Sequence, residues 1–237
     1  ESISVRSLNL HIIPGTNLHK LKTPIKYEWE GRVAEYKRSQ QNKHTAKMEV
    51  VPSSNHVQPL LTDLYQITMC YAYYKADRHQ LPSTFDVFFR KNPFAGEYTL
   101  FAGLGDVLKF VDNWSLTKED ITFLRENVLT NAEPEFFDYL EQLDCSEVTI
   151  YAVSEGSVVF PREPLLRIDG PLGICQLLET TILNLTNYAS LVTTNAARFR
   201  NAAGPDATLL EFGLRRAQGP DGAMSASRYC YMGGFDG

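Results

Sequence analysis

Residues 147–203 constrain the fold more than any other stretch. EVTIYAVSEGSVVFPREPLLRIDGP (147–171) alternates through Val148, Ile150 and Ala152 and again at Val158 and Phe160. Gly and Pro punctuate it, which predicts two or three short antiparallel strands. Residues 172–203 then carry the longest helical pattern of the chain, with Leu172, Cys175, Leu178, Thr181, Leu185 and Tyr188 on one side and Gly204 as a stop. A strand period giving way to a helical one makes the chain α/β, and 43% hydrophobic content over 237 residues supplies a sizeable core. No apolar run approaches the roughly 18 residues of a membrane span.

The same two periods organise the preceding residues. Over 60–77, Leu61, Leu64, Tyr65, Thr68, Met69, Ala72 and Tyr73 recur close to every 3.6 positions, which predicts an amphipathic helix with Thr62 as N-cap. STFDVFF follows as a strand with Phe85, Val87 and Phe89 on one face, ending in a turn-rich loop at Asn92, Pro93 and Gly96. Arg90 and Lys91 beside that loop suit either an anion or a solvated turn. A second helix is expected over 117–129, where Thr117 and Asp120 have capping-box spacing, and a third from Pro134 to Leu143.

Chemistry is limited by the placement of histidine. The five are His11, His19, His44, His56 and His79, so residues 80–237 must act through carboxylates, Lys, Arg, Tyr or backbone dipoles. A Ser-His-Asp hydrolase or a multi-His metal site is excluded there. Cys70, Cys145, Cys175 and Cys230 show neither CxxC pairing nor metal-ligand spacing, which fits a reducing compartment.

Charge divides the chain. Residues 1–50 hold nine Lys and Arg against five Asp and Glu, a net +4 that leaves −9 for the remainder. Residues 1–47 show no sustained period and no secretory signal, and Glu28, Glu30 and Glu35 argue against a transit peptide. They are expected to be a disordered basic extension or a stretch upstream of a true initiator at Met48.

The last 31 residues read differently. Leu209, Leu210, Phe212 and Leu214 predict a short strand that breaks into Arg215, Arg216 and a loop with Gly219, Pro220, Asp221 and Gly222, followed by a helix over 223–232. The edge between a strand's end and the next helix's N-terminus collects anions, and a guanidinium grips a carboxylate or phosphate with two parallel hydrogen bonds. Two adjacent arginines there point to a small anionic ligand. The alternative is one arginine paired with Glu211 or Asp221 and the other in water. A single strand-helix unit cannot close a sheet, so the chain is expected to be the N-terminal piece of a longer protein.

LTDLYQ (61–66), FFRKNPFAGEY (88–98), FAGL (101–104) and above all EFGLRRAQGPDGAMSASRYCYMGGFDG (211–237) resemble the nicotinate phosphoribosyltransferases, over residues 58–237. The resemblance implies an α/β N-terminal domain (48–206) followed by the first strand-helix unit (207–237) of an irregular α/β barrel. It also implies a cytosolic homodimer with shared active sites. The implied reaction joins nicotinate to 5-phosphoribosyl 1-pyrophosphate, giving nicotinate mononucleotide and pyrophosphate in NAD synthesis, with Mg2+ and coupled ATP hydrolysis through a transient phosphohistidine.

By the same resemblance Tyr65 contacts the pyridine ring across the dimer interface, Arg215 lies at the nicotinate pocket and Leu214 lines it. Asp63 reads as a helix-start acid and Arg216 as a salt-bridge partner. The family's phosphorylated histidine follows GGFDG, so no catalytic residue and no metal ligand is expected in residues 1–237, and the piece alone is expected to be inactive. Neither nucleic acid nor membrane is an expected partner. The rival readings are a transferase for nicotinamide or quinolinate, the former disfavoured by the arginine pair, and a non-catalytic fragment that dimerises with an intact subunit.

Overall fold

The computed structural model describes residues 3–6, 33–37, 54 and 56–237. Strands β1 (Ile3–Arg6) and β2 (Val33–Lys37) precede helix α1 (Leu64–Lys75), strand β3 (Pro82–Phe89) and the short strand β4 (Thr99–Leu100). Helices α2 (Leu104–Asp112), α3 (Lys118–Phe123) and α4 (Pro134–Gln142) follow. Strands β5 (Thr149–Val153), β6 (Val158–Val159) and β7 (Leu166–Pro171) lead into α5 (Leu172–Leu177), α6 (Glu179–Ala203) and α7 (Gly219–Met232). Met48, His11, His19 and His44 lie outside the described residues.

The main sheet has the order β1-β3-β7-β5-β2, with every pairing antiparallel. Its two edges come from a stretch in which the sequence shows no sustained strand period. At the centre, Phe85 and Ile150 both stand opposite Ile168. Those three, with Val87, Phe89 and Leu166, are buried together with Phe136, Phe137 and Leu140 of α4 and with Phe101 and Trp114. A separate ribbon pairs Thr99 with Val159.

The strands of 147–171 are antiparallel as expected, and the capping box at Thr117 and Asp120 is present. The helix it starts finishes in a wider turn, Leu124–Val128, where Leu129 N–H donates to Leu124 C=O at 2.8 Å. Gly204, at φ 82°, stops α6 in a conformation glycine adopts without steric cost.

Three expectations are corrected. The N-cap of α1 is Asp63, not Thr62: the Asp63 carboxylate and Gln66 form a reciprocal capping box, while Thr62 Oγ1 donates to Gln66 Oε1. The stripe of α1 expected to face the core instead faces out, leaving Leu64, Tyr65 and Met69 exposed, while Gln66, Ile67 and Cys70 are buried. Gln66 tolerates burial because its Nε2 donates to Gln176 C=O at 2.7 Å. The expected stripe is buried at Cys175, Leu178 and Thr181, but along α6 the buried side continues through Ile182, Thr186, Ala189, Ser190, Thr193 and Thr194, with Leu185 half-buried and Tyr188 exposed.

Small residues on α6 have a reason. Thr194 Oγ1 accepts from Leu100 N–H at 2.9 Å, and Ser190 Oγ accepts from Ala102 N–H at 3.1 Å, so the helix satisfies backbone groups of the segment it covers. Gly103 lies beneath α6 at φ 102°, where a Cβ would strike the Leu185 carbonyl. Glu155 Oε1 caps the next helix, accepting from Gly103 N–H at 2.6 Å and Leu104 N–H at 2.9 Å. The FAGL motif is thus where α2 begins beneath α6.

Candidate functional site

Residues 208–213 form no strand, which corrects the expected strand over 209–214 and leaves no barrel strand among the described residues. A strand needs a ladder. Here only two backbone bonds join this segment to the end of the chain, Glu211 N–H to Gly237 C=O and Asp236 N–H to Leu209 C=O. Leu210, Phe212 and Leu214 are correspondingly exposed, Phe212 to 77%.

Leu214–Arg216 is a 3-10 turn closed by Arg216 N–H donating to Gly213 C=O at 2.8 Å, and α7 begins three residues later. The helix starts earlier than expected, at Gly219 rather than residue 223, with Pro220 in its first turn. Both arginines are solvent-exposed, and neither guanidinium makes an ion pair or side-chain hydrogen bond among the described residues.

The carboxylates that could have neutralised them are engaged elsewhere. Asp221 accepts from Ser54 Oγ at 3.0 Å and lies 3.4 Å from His56 Nε2. Glu211 accepts from Gly213 N–H and from Ser227 Oγ. Arg216, expected as a salt-bridge partner, has none among the described residues. Two cationic groups thus stand beside the N-terminal end of a 14-residue helix, an arrangement that attracts an anion.

The sides of this unit are locked to the body of the protein. Arg200 of α6 donates to the carbonyls of Gly234 (2.8 Å) and Gly204 (3.1 Å), to that of Ala207, and to Asp236 Oδ2 (2.6 Å), which also accepts from Leu209 N–H (2.8 Å). The Asp236 carboxyl is held below the usual carboxylate range by these bonds. Gly233 allows α7 to meet α6, since a Cβ there would overlap Ala196 Cβ and the Thr193 carbonyl. These contacts account for GGFDG as packing and bonding.

Tyr65 is not part of this arrangement: it lies on the outward face of α1, with no hydrogen bond to Arg215 or Leu214 among the described residues. Burial and the neighbouring Glu179 carboxylate push its hydroxyl up to about 12. It remains neutral at physiological pH, and the residue is 44% exposed. Sequence reasoning overlooked Arg200 and Asp106. The latter is nearly buried on α2, where it accepts from Arg228 Nη1 at 2.6 Å and Tyr229 Oη at 2.7 Å and so ties α7 down. Its signal was a lone aspartate within the apolar period of Leu104, Val107, Phe110 and Val111.

Among the described residues no three His, Cys, Asp or Glu side chains are grouped to hold a metal ion, and no helix is long and apolar enough to cross a membrane.

The fold is thus a mixed α/β domain, with a basic turn beside a helix start as its candidate site. Residues 60–187 match the family model described as nicotinate phosphoribosyltransferase (NAPRTase) N-terminal domain. The chain belongs to the nicotinate phosphoribosyltransferase family.

It is 66% identical over 180 residues to the nicotinate phosphoribosyltransferase of Caenorhabditis elegans, covering 76% of this chain and 32% of that protein. It is 53% identical over 178 residues to that of Homo sapiens, covering 75% and 33%. The crystal structure of human nicotinic acid phosphoribosyltransferase superposes with a TM-score of 0.70 at 53% identity, covering 74% of this chain and 35% of that one. A nicotinate-nucleotide pyrophosphorylase from Pyrococcus furiosus, 22% identical with a TM-score of 0.58 over 81% of this chain and 41% of its own, shares the fold alone. The chain spans about one third of the length of the curated relatives it matches.

Proposed function

We propose that the protein to which this chain belongs is a nicotinate phosphoribosyltransferase, joining nicotinate to 5-phosphoribosyl 1-pyrophosphate with release of pyrophosphate and coupled ATP hydrolysis. The observation that carries this reading is the Arg215–Arg216 turn beside the start of α7, whose guanidiniums have no ion-pair partner among the described residues while the neighbouring carboxylates are engaged by other groups.

Nicotinate is a flat ring with one carboxylate. Arg215 grips that carboxylate, Leu214, 67% exposed on the same turn, lines the ring, and Tyr65 supplies an aromatic face. Because Tyr65 stands apart on the outward face of α1, it serves the pocket of a second copy in a homodimer with shared sites. The 207–237 unit opens the barrel of the larger protein. Formation of the glycosidic bond needs no protein nucleophile: pyrophosphate leaves, the ring nitrogen attacks an oxocarbenium-like ribose, and the protein positions and neutralises.

Mg2+ enters with the pyrophosphoryl substrate; among the described residues no carboxylates are grouped to hold it. Neither His56, beside Asp221, nor His79, packed among Tyr74 and Tyr139, serves as the phosphohistidine. The enzyme is placed in the cytosol.

The test is product formation from nicotinate against nicotinamide by the native protein. Nicotinamide lacks the charge that Arg215 binds, so strong preference for nicotinate is expected. Equal use of the two sinks the assignment.

A further inference from the structure

We propose that Glu211 is a positioning residue for Arg215, holding the arginine turn in its binding geometry through a carboxylate bridge between that turn and α7. The inference rests on the reading of Arg215 as the nicotinate-carboxylate ligand.

Three observations carry it. First, Glu211 divides its two oxygens between the two elements that must stay in register. Oε1 accepts from the backbone N–H of Gly213, the residue that opens the turn, and Oε2 accepts from Ser227 Oγ, in the third turn of α7, at 2.7 Å. The bridge is extended along the backbone on both sides: Glu211 N–H donates to Gly237 C=O at 2.7 Å, and Gly213 C=O accepts from Arg216 N–H at 2.8 Å. Two hydrogen bonds thus join α7 to Gly213, two residues before Arg215.

Second, the residue after next has no side chain where one would be in the way. A Cβ on Gly213 would fall on Glu211 Oε1. Gly213 has φ −82° and ψ −6°, a conformation open to any residue, and its missing Cβ leaves room for the Glu211 carboxylate in the position that bonds the turn. Glu211, Gly213 and Arg215 form one mechanical unit.

Third, the bridge engages the Glu211 carboxylate with groups other than the arginines. Glu211 is the carboxylate nearest in sequence to Arg215 and as near to Arg216 as Asp221 is, yet its oxygens bond Gly213 N–H and Ser227 Oγ and it pairs with neither arginine. The guanidiniums are left for a ligand. An arginine fork loses affinity when its backbone wanders, because the ordering must then be supplied on binding.

The proposal predicts a separation between bridging and charge. Glutamine at 211 preserves the bridge: its carbonyl oxygen accepts from Gly213 N–H and its amide donates to Ser227 Oγ. Alanine abolishes it. In the native protein, Glu211→Ala is expected to raise KM for nicotinate about tenfold or more with a smaller change in kcat, and to leave KM for the pyrophosphoryl substrate near wild type. Glu211→Gln is expected to restore KM most of the way, and Ser227→Ala, which removes one arm without touching the turn, to fall between.

A Glu211→Ala protein with unchanged KM, or a Glu211→Gln protein as impaired as the alanine variant, overturns the proposal. Should Glu211→Ala fail to fold, Ser227→Ala and Glu211→Gln still decide it. Amide exchange at Gly213 separates this inference from the reading beneath it. If the wild-type protein shows no nicotinate turnover, the activity assignment falls, and the bridge is judged by whether Gly213 exchanges faster in Ser227→Ala than in wild type; equal rates dismiss the bridge as well.

Discussion

Tyr229 donates its hydroxyl hydrogen to Asp106 Oδ2 at 2.7 Å across 123 positions of sequence, and the donor is buried. Arg228 Nη1 reaches the same oxygen at 2.6 Å. One carboxylate on α2 thereby fixes consecutive residues of α7, the helix whose start adjoins the arginine turn. Burial, the bond and the Asp106 charge raise the Tyr229 hydroxyl, which remains a donor. Asp106→Ala is expected to lose about 2–3 kcal/mol, since it removes a charge-assisted bond and strands a buried hydroxyl. Tyr229→Phe, which removes donor and polarity together, should lose less. Urea unfolding of the two variants measures both, and the reverse order would contradict this account.

Arg215 and Arg216 are expected to differ. Replacing Arg215 by Ala should raise KM for nicotinate by about ten- to a hundredfold, the cost of a charged hydrogen-bonded partner, and Lys should recover little because it lacks the planar fork. Arg216→Ala should have the smaller effect. Steady-state kinetics of the three variants test the order.

Glu133 confers an acid-side dependence of stability. Lys75 and Tyr71 bond its carboxylate and hold it down at about 2, below an ordinary value of 4.5. Because the folded-state value is the lower one, the contribution is present above pH 4.5 and is lost as pH falls towards about 2. Glu133→Gln should flatten the difference in melting temperature between pH 5 and pH 2 relative to wild type; parallel curves would show the bond contributes nothing. Both charged groups are well exposed, so the effect is small and salt-sensitive.

Thiol reactivity should be confined to one position. Cys70, Cys145 and Cys175 are buried, and burial pushes Cys70 up to about 12 and Cys175 up to about 11; Cys230 is also raised, by partial burial and the Glu211 charge, but it alone is partly exposed. Alkylation of the folded protein followed by mass analysis should modify Cys230 first. Equal labelling of all four would mean that the core opens readily.

Gly233→Ala is expected to destabilise by about 1–3 kcal/mol, because its methyl would overlap Ala196 and the Thr193 carbonyl where α7 meets α6. A thermal melt of the variant reads this directly.

Local pattern revealed those features that depend only on neighbours in sequence. The capping box of Thr117 and Asp120, the Gly204 stop and the core face of Phe85, Val87 and Phe89 all follow from adjacent residues. Helix α2 was overlooked although Leu104, Val107, Phe110 and Val111 carry its period, because its cap, Glu155, comes from a residue 51 positions away. The facing of α1 was misread because both of its sides are apolar. Only Gln66, buried through its bond to Gln176, distinguishes them, and that bond lies between distant segments.

At the candidate site the arginine pair and the helix after it were legible, since basic residues before a Gly- and Pro-marked helix start are a local signal. The fate of the nearby acids was not. Whether Glu211 and Asp221 neutralise the arginines or turn elsewhere depends on Ser227, Ser54 and His56, whose positions only the folded chain brings together.

The pairing of β3 with β7 has a consequence for how the chain is made. Phe85 and Ile168 are partners in the middle of the sheet, yet the whole of α2, α3, α4 and the β4–β6 ribbon lies between them in sequence. Closing so long a loop precedes any gain from the central ladder. During synthesis the ribosome must release Pro171 before the sheet can form, so the helices that emerge earlier wait as an uncommitted apolar surface. That interval is when the nascent chain most needs shielding from its neighbours.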